Sequence, residues 1–414
     1  VRNDKKKLSK TAQEIFIINI IMSILAYIVF FIALCNVPRL KDEKTLLIIV
    51  SATIFFNAIG MEWLYKALEQ YTYITIRSVI FKFIALIAMF LLIHQQSDYI
   101  IYGAISIFAS SASNIFNFFN VHKYISLRPV GEYNFKQHLK AVSVFFALSC
   151  AATIYVNLDT VMLGFMKTNV DVGYYNAAVK IKTILVSIVT SLGTVLLPRA
   201  SYYVEHGLKE DFYRITKKAI NFVFLVATPL MLYFMFFAKE GIFFLSGNTY
   251  GGAIVPMQII MPTLFFIGLT NIMGMQILVP LGKENIVLYS EIVGAVVDLA
   301  INYILIPKYA SAGAAIGTLV AEIAVWIVQY IYLRKQIKDA YKNVRYGILI
   351  LALFLGSIAS LWVKKVFSGS FIVLLNSAIL FFGVYFIVLT IAKEPLIYQI
   401  EEGLLTKLKK KGKK

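Results

Sequence analysis

Charge is scarce in this chain. Only 15% of its 414 residues are Asp, Glu, Lys or Arg, where a soluble domain carries about 25%. That shortage excludes a soluble enzyme. Cysteine is nearly absent: Cys35 and Cys150 both lie in apolar stretches, so no disulfide framework is available and both read as small core residues. The four histidines, His94, His122, His138 and His206, are scattered without metal-ligand spacing. The chain contains no G-x-x-x-x-G-K-[ST] phosphate loop, no Ser/His/Asp or Cys/His arrangement and no RNA- or DNA-binding motif. No cofactor and no nucleic-acid partner are therefore expected.

What the chain does have is apolar length. Hydrophobic residues make up 59% and the mean hydropathy is +0.77. Twelve stretches of about 21 residues, the length a membrane helix needs, account for that fraction. A membrane β-barrel would alternate apolar and polar residues instead. The expected fold class is all-α: a polytopic membrane protein with about 12 transmembrane helices. The spans are read at 14–35, 45–65, 73–93, 98–119, 139–164, 173–198, 219–238, 253–280, 285–306, 311–333, 346–363 and 370–392. Pro256, Pro262 and Pro280 predict a kink in the eighth. Pro198 and Pro229 are expected to break or end their helices.

Orientation follows from Lys and Arg in alternate loops. One side collects 28 of the 40 and the other 8, with Arg77, Lys82, Lys180 and Lys182 inside spans. The bias places both termini in the cytoplasm. It also accounts for most of the +18 net charge as a face turned toward anionic membrane lipids. The basic tail from Lys407 to Lys414 reads as a solvated, lipid-touching end.

An offset of about 210–214 residues aligns spans 73–93 and 98–119 with 285–306 and 311–333. Six helices separate the copies, so the repeat is parallel, with its axis along the membrane normal. The predicted organisation is an N-terminal lobe over 1–137, a C-terminal lobe over 138–338, and two additional helices with the basic tail over 339–414. Four helices precede residue 139 where the repeat calls for six. The chain is therefore expected to be a fragment preceded by two further helices. A GTG start codon read literally as Val1 is the competing explanation of its first residue.

Three segments carry a resemblance: Gly60-Met-Glu-Trp-Leu-Tyr-Lys-Ala-Leu-Glu-Gln-Tyr-Thr-Tyr-Ile-Thr-Ile-Arg77; Leu158-Asp-Thr-Val-Met-Leu-Gly164 with Val172-Gly-Tyr-Tyr-Asn-Ala-Ala-Val-Lys-Ile181; and Leu197-Pro-Arg-Ala-Ser201. The chain resembles the bacterial polysaccharide flippases of the multidrug/oligosaccharidyl-lipid/polysaccharide exporter superfamily. The resemblance implies two lobes about a central cavity. It also implies movement of an undecaprenyl-pyrophosphate-linked oligosaccharide to the outer leaflet of the bacterial plasma (inner) membrane. Two alternatives stay open: a drug or cation antiporter of the same superfamily, and a membrane glycosyltransferase or polymerase acting on the same lipid. The longest outer loop, 239–252, holds only Lys239 and Glu240, which argues against the last.

Ionisable groups inside spans cost on the order of 2.5–3.5 kcal/mol each on insertion scales, so each calls for a reason. Arg77 and Lys82, about 6 and 13 Å into their helix, are candidates to attract the anionic lipid pyrophosphate. So is Lys180, whose depth matches that of Asp159 and predicts an ion pair. Lys182, two residues on, is expected on another surface. Asp298 and Glu322 fall near mid-membrane on consecutive helices, and Glu291 shares the Asp298 face; these carboxylates suit H⁺ or Na⁺, since hard cations take oxygen ligands. Glu62, beside Trp63 and Tyr65, reads as an interfacial anchor.

Overall fold

The computed structural model describes residues 4–126, 128–131, 133–342 and 344–398. The basic tail lies outside them. The described residues are mostly helical, with no strand among them. The principal helices are α1 (Lys5–Asn36), α2 (Lys44–Gly60), α3 (Tyr71–Leu92), α4 (Gln96–Lys123), α5 (Lys136–Met166), α6 (Asn169–Glu205), α7 (Lys209–Phe236), α8 (Asn248–Ile260 with Thr263–Leu278), α9 (Glu284–Lys342), α10 (Tyr346–Leu361) and α11 (Ser370–Ile391). The chain divides into two compact units, Val1–Cys150 and Ala151–Lys414. The division falls inside α5, and α10 and α11 belong to the second unit.

Among the described residues, eight helices are long and apolar enough to cross a membrane, or nine when the bent pair of α8 counts as one span. Two of the differences from the expected twelve have a cause in the fold. Helix α9 is 59 residues long and contains two expected spans. It breaks at Ala310, a non-glycine residue at φ 48°, and its halves then run antiparallel: the Gln329 amide donates to Ser290 Oγ at 3.0 Å. Helix α2 is only 17 residues long. It ends at Gly60 because Met61 turns left-handed at φ 44° and starts a short helix over Glu62–Ala67. The aromatic end of the expected span 45–65 thus belongs to a separate turn.

The prolines behave unevenly. Helix α8 bends by 45° at the break before Thr263, as Pro262 predicts. Pro229, however, lies inside a continuous α7, and α6 runs through position 198 to Glu205. Proline at 229 removes the bond normally made to the carbonyl four residues back. That carbonyl, Leu225 O, accepts instead from the Tyr385 hydroxyl of α11 at 2.8 Å, so the helix continues without an orphaned acceptor. Cys35 is exposed rather than in a core; the Cys150 side chain is outside the described residues.

In the first unit, α1 holds the segment leading into α5. Gln13 donates to the carbonyls of Ser126 and Arg128 at 2.7 and 2.8 Å and accepts from the Tyr133 hydroxyl at 2.8 Å. The buried Glu14 carboxylate accepts from Asn134 N at 2.7 Å and Gln137 Nε2 at 3.1 Å, with His138 Nε2 2.7 Å away. Glu14→Ala removes the shared acceptor of these groups. Because part of this segment meets solvent, the expected cost is about 1–2 kcal/mol, read as faster proteolytic cutting between Ser126 and Lys136.

Candidate functional site

The second unit encloses a cavity of about 200 Å³ lined by Asp159 of α5, Tyr175 and Lys182 of α6, and Asp298, Thr318 and Glu322 of α9. Asp159 is its hub. Its Oδ2 accepts from the Tyr175 hydroxyl and from Thr318 Oγ1, the latter at 2.8 Å, and its Oδ1 accepts from Asn302 Nδ2. Tyr175 and Thr318 also touch each other at 2.8 Å. All four side chains are buried.

One helical turn along, the character changes. Asp298 lies four residues from Asn302 and Glu322 four from Thr318, so each shares a face with its neighbour. Lys182 lies seven residues from Tyr175, again on one face. The cavity is therefore built in two layers: a hydrogen-bonded ring about Asp159, and a charged layer of Asp298, Glu322 and Lys182. Three carboxylates and one ammonium leave it formally at −2. Two buried oxygens, Asp298 Oδ1 and Asn302 Oδ1, accept no hydrogen bond. Both face Gly317, where a Cβ would collide with Asn302 Oδ1 and come within 3.1 Å of Asp298 Oδ1. Glycine at 317 makes the space these oxygens occupy. Carboxylate, amide and hydroxyl oxygens converging in this way suit a hard monovalent cation.

Several expected placements change. Lys180 is exposed, and Asp159 pairs with hydroxyls and an amide in its stead. The reason is helical phase: with 3.6 residues per turn, Lys180 is rotated about 140° from Tyr175, whereas Lys182 is nearly aligned with it. The lysine expected on another surface is thus the one in the cavity. Glu291 is exposed and lies outside the cavity, although it shares a heptad spacing with Asp298. Asp298 and Glu322 do come together.

In the first unit, Arg77 is buried. Its Nη2 donates to Asn114 Oδ1 at 3.5 Å and lies 3.9 Å from Glu62, which pairs with Lys66 at 2.9 Å. Asn114 in turn donates to Asn57 Oδ1 at 3.0 Å and sits over Gly60, where a Cβ would come within 2.5 Å of it. Glu62 is therefore an ion-pair partner. Nearby, burial pushes the Tyr65 phenol up to about 12, so it stays a neutral donor to Asn117 O. Lys82 is exposed, rotated about 100° or more from the Ile76, Ile80, Phe83 and Ile87 face of α3.

Tyr175, Asn302, Thr318 and Lys182 were not singled out as a set from the sequence. One signal was available for the polar positions. Asn57-Ala-Ile-Gly-Met-Glu62 recurs as Asn271-Ile-Met-Gly-Met-Gln276, at the offset of the internal repeat. In the second unit Gly274 faces Gln329 as Gly60 faces Asn114 in the first. Each unit seats a buried amide against a glycine.

The family model described as "Polysaccharide biosynthesis protein" matches residues 1–204. An uncharacterized membrane protein of Methanocaldococcus jannaschii is 27% identical over 238 residues, 58% of this chain and 47% of that protein. The match thus spans about half the length of that relative. Putative O-antigen transporters of Shigella dysenteriae and Escherichia coli (strain K12) are 25% and 24% identical, over 67% of this chain and 70% and 67% of theirs. Among solved structures, the lipid II flippase MurJ in an inward closed conformation matches with a TM-score of 0.71 at 19% identity, covering 95% of this chain and 85% of that one. That likeness concerns the fold.

Proposed function

We propose, given that the chain belongs to the polysaccharide flippase family, that it moves an undecaprenyl-pyrophosphate-linked oligosaccharide from the cytoplasmic to the outer leaflet of a bacterial plasma membrane, driven by H⁺ or Na⁺. The observation that carries the reading is the cavity of the second unit. Asp159 and Asp298 are 5% and 2% exposed in a multi-pass membrane protein, where an unneeded carboxylate is costly. A cation entering between them neutralises part of the −2 charge, and the affinity for that cation becomes a means of coupling a gradient to conformational change. In the first unit Arg77 and Lys82 supply positive charge for the pyrophosphate; Lys180 is a separate exposed cation of the second unit.

The reading is tested with the chain reconstituted in liposomes and a fluorescent lipid-pyrophosphate oligosaccharide. An imposed Na⁺ or H⁺ gradient is expected to accelerate flipping. Asp298→Asn is expected to lower the driven rate at least about tenfold at equal protein level, the scale on which ligand-shell changes act. Gradient-independent flipping, equal in wild type and Asp298→Asn, overturns the coupling. Uptake of an organic cation such as tetraphenylphosphonium with no movement of the glycolipid replaces this reading with the antiporter one, which the acidic cavity would also serve.

Both termini are proposed to be cytoplasmic on the charge bias. Reporter fusions at Lys414 and within 239–252 are expected to give opposite accessibility; the same accessibility for both sinks the topology.

A further inference from the structure

We propose that Lys182 is a tethered competitor for the cation site: its ammonium shares the field of Asp159 and Asp298 until the coupling cation displaces it. The inference rests on the cation reading above and adds to it a residue and an order of events.

The argument starts from charge. Lys182 and the carboxylates of Asp159, Asp298 and Glu322 line one cavity of about 200 Å³. The charged groups facing Lys182 come from α5 (Asp159) and from both halves of α9 (Asp298 and Glu322), and all are acidic; the hydroxyls of Tyr175 and Thr318 complete the wall. An ammonium so placed lowers the negative potential that any incoming cation would feel, because both draw on the same carboxylates. The two ligands therefore oppose each other.

The geometry keeps that opposition reversible. Lys182 sits in the charged layer and not in the ring about Asp159, whose oxygens are held by Tyr175, Asn302 and Thr318. The oxygens that lack a hydrogen-bond donor, Asp298 Oδ1 and Asn302 Oδ1, lie against Gly317 at the junction of the two layers. Four flexible methylenes let the ammonium withdraw without helix movement. A monovalent metal ion is small against the cavity of about 200 Å³, and an ammonium tied to α6 does not need to leave the cavity to make room. Cation entry then leaves Lys182 with a surplus of positive charge toward the rest of the cavity, where Asn157, Asn176 and Thr183 line the opening. That is the place for an anionic ligand group. By linkage, cation and anion binding at this cavity must strengthen each other by the same factor.

The test uses the full chain in nanodiscs. Thermal stability is titrated with NaCl against choline chloride at constant ionic strength. Wild type is expected to show saturable Na⁺ protection. Lys182→Met is expected to shift the half-saturating Na⁺ concentration down about tenfold, and Lys182→Arg, which keeps the charge, to stay within about twofold of wild type. Adding inorganic pyrophosphate is expected to lower the Na⁺ midpoint of wild type and not of Lys182→Met. An unchanged or raised midpoint in Lys182→Met overturns the proposal, as does an equal shift in Lys182→Arg. Should Lys182→Met fail to fold, Lys182→Met/Glu322→Gln, which removes one charge of each sign, is compared with Glu322→Gln alone under the same criterion. Absence of Na⁺ protection in wild type and every variant, over choline, removes the Na⁺ site itself and this proposal with it. A protected wild type with an unmoved Lys182→Met removes only the competition.

Discussion

Asp159→Ala is expected to be among the most destabilising single substitutions in the second unit. The carboxylate accepts from Tyr175, Asn302 and Thr318 at once. Removing it strands these donors where water cannot readily replace the lost acceptor, and each buried orphan costs about 1–3 kcal/mol. The Tyr175–Thr318 contact survives, so part of the loss is recovered and the net cost is about 3 kcal/mol. For a unit of this size that corresponds to a fall in melting temperature of roughly 5–10 °C. Asp159→Asn keeps one acceptor oxygen and is expected to fall by less than half as much. Thermal unfolding in detergent followed by tryptophan fluorescence reads both. A melting temperature of Asp159→Ala within about 1 °C of wild type would mean the hydrogen-bonded ring does not hold α5, α6 and α9 together.

Gly317→Ala is the second large effect, and it acts on the site more than on the fold. The added methyl would meet Asn302 Oδ1 at far less than van der Waals distance and Asp298 Oδ1 at 3.1 Å. Both oxygens must move, and overpacking of this kind costs about 1–3 kcal/mol. Because the same oxygens are those free to take a cation, Na⁺ protection is expected to weaken at least about a hundredfold while the protein still folds. Gly60→Ala makes a control with similar sterics: its methyl would meet Asn114 at 2.5 Å in the first unit, so stability is expected to drop while the Na⁺ midpoint stays put. If Gly317→Ala keeps a wild-type midpoint, the oxygens at 298 and 302 are not ligands.

The contrast between Lys180 and Lys182 shows what a sequence can say about a buried charge. Depth along a helix is a matter of counting residues: it matched Asp159 with Lys180 and put Asp298 with Glu322 near mid-membrane, from the chain alone. Facing is a matter of angle. Two lysines two residues apart have nearly the same depth and point about 160° apart on the helix wheel, so choosing between them requires knowing which side of α6 meets α5 and α9. Tyr175 decides it by bonding Asp159. Asp298 and Glu291, at heptad spacing, pose the related problem along one helix: the antiparallel partner brings Gly317 and Thr318 alongside Asp298 and Asn302 but leaves Glu291 exposed.

Asn302, Thr318 and Tyr175 escaped notice for another reason. They carry no charge, and uncharged polar residues are common enough in membrane helices that none stands out singly. The Asn-x-x-Gly-Met-Glu/Gln repetition was legible in principle, yet its meaning, an amide seated on a glycine, needs the second helix of each pair. Proline was similarly ambiguous. Pro262 bends its helix, whereas Pro229 is absorbed because a tyrosine 156 positions later in the chain bonds the freed carbonyl.

By itself, then, the amino-acid order determined the all-α multi-pass class, because that depends on composition, length and local pattern. Scarcity of charge is a property of the whole chain, and so is the run length that a bilayer selects. Only the tertiary structure decided that Lys182 rather than Lys180 enters the acidic cavity, that Asp159 is held by two hydroxyls and an amide, and that Gly317 leaves two oxygens free. Those outcomes depend on the angle at which three helices meet, and side chains rotate by 100° with every residue. Pairing across helices is long-range, so no window of sequence contains it.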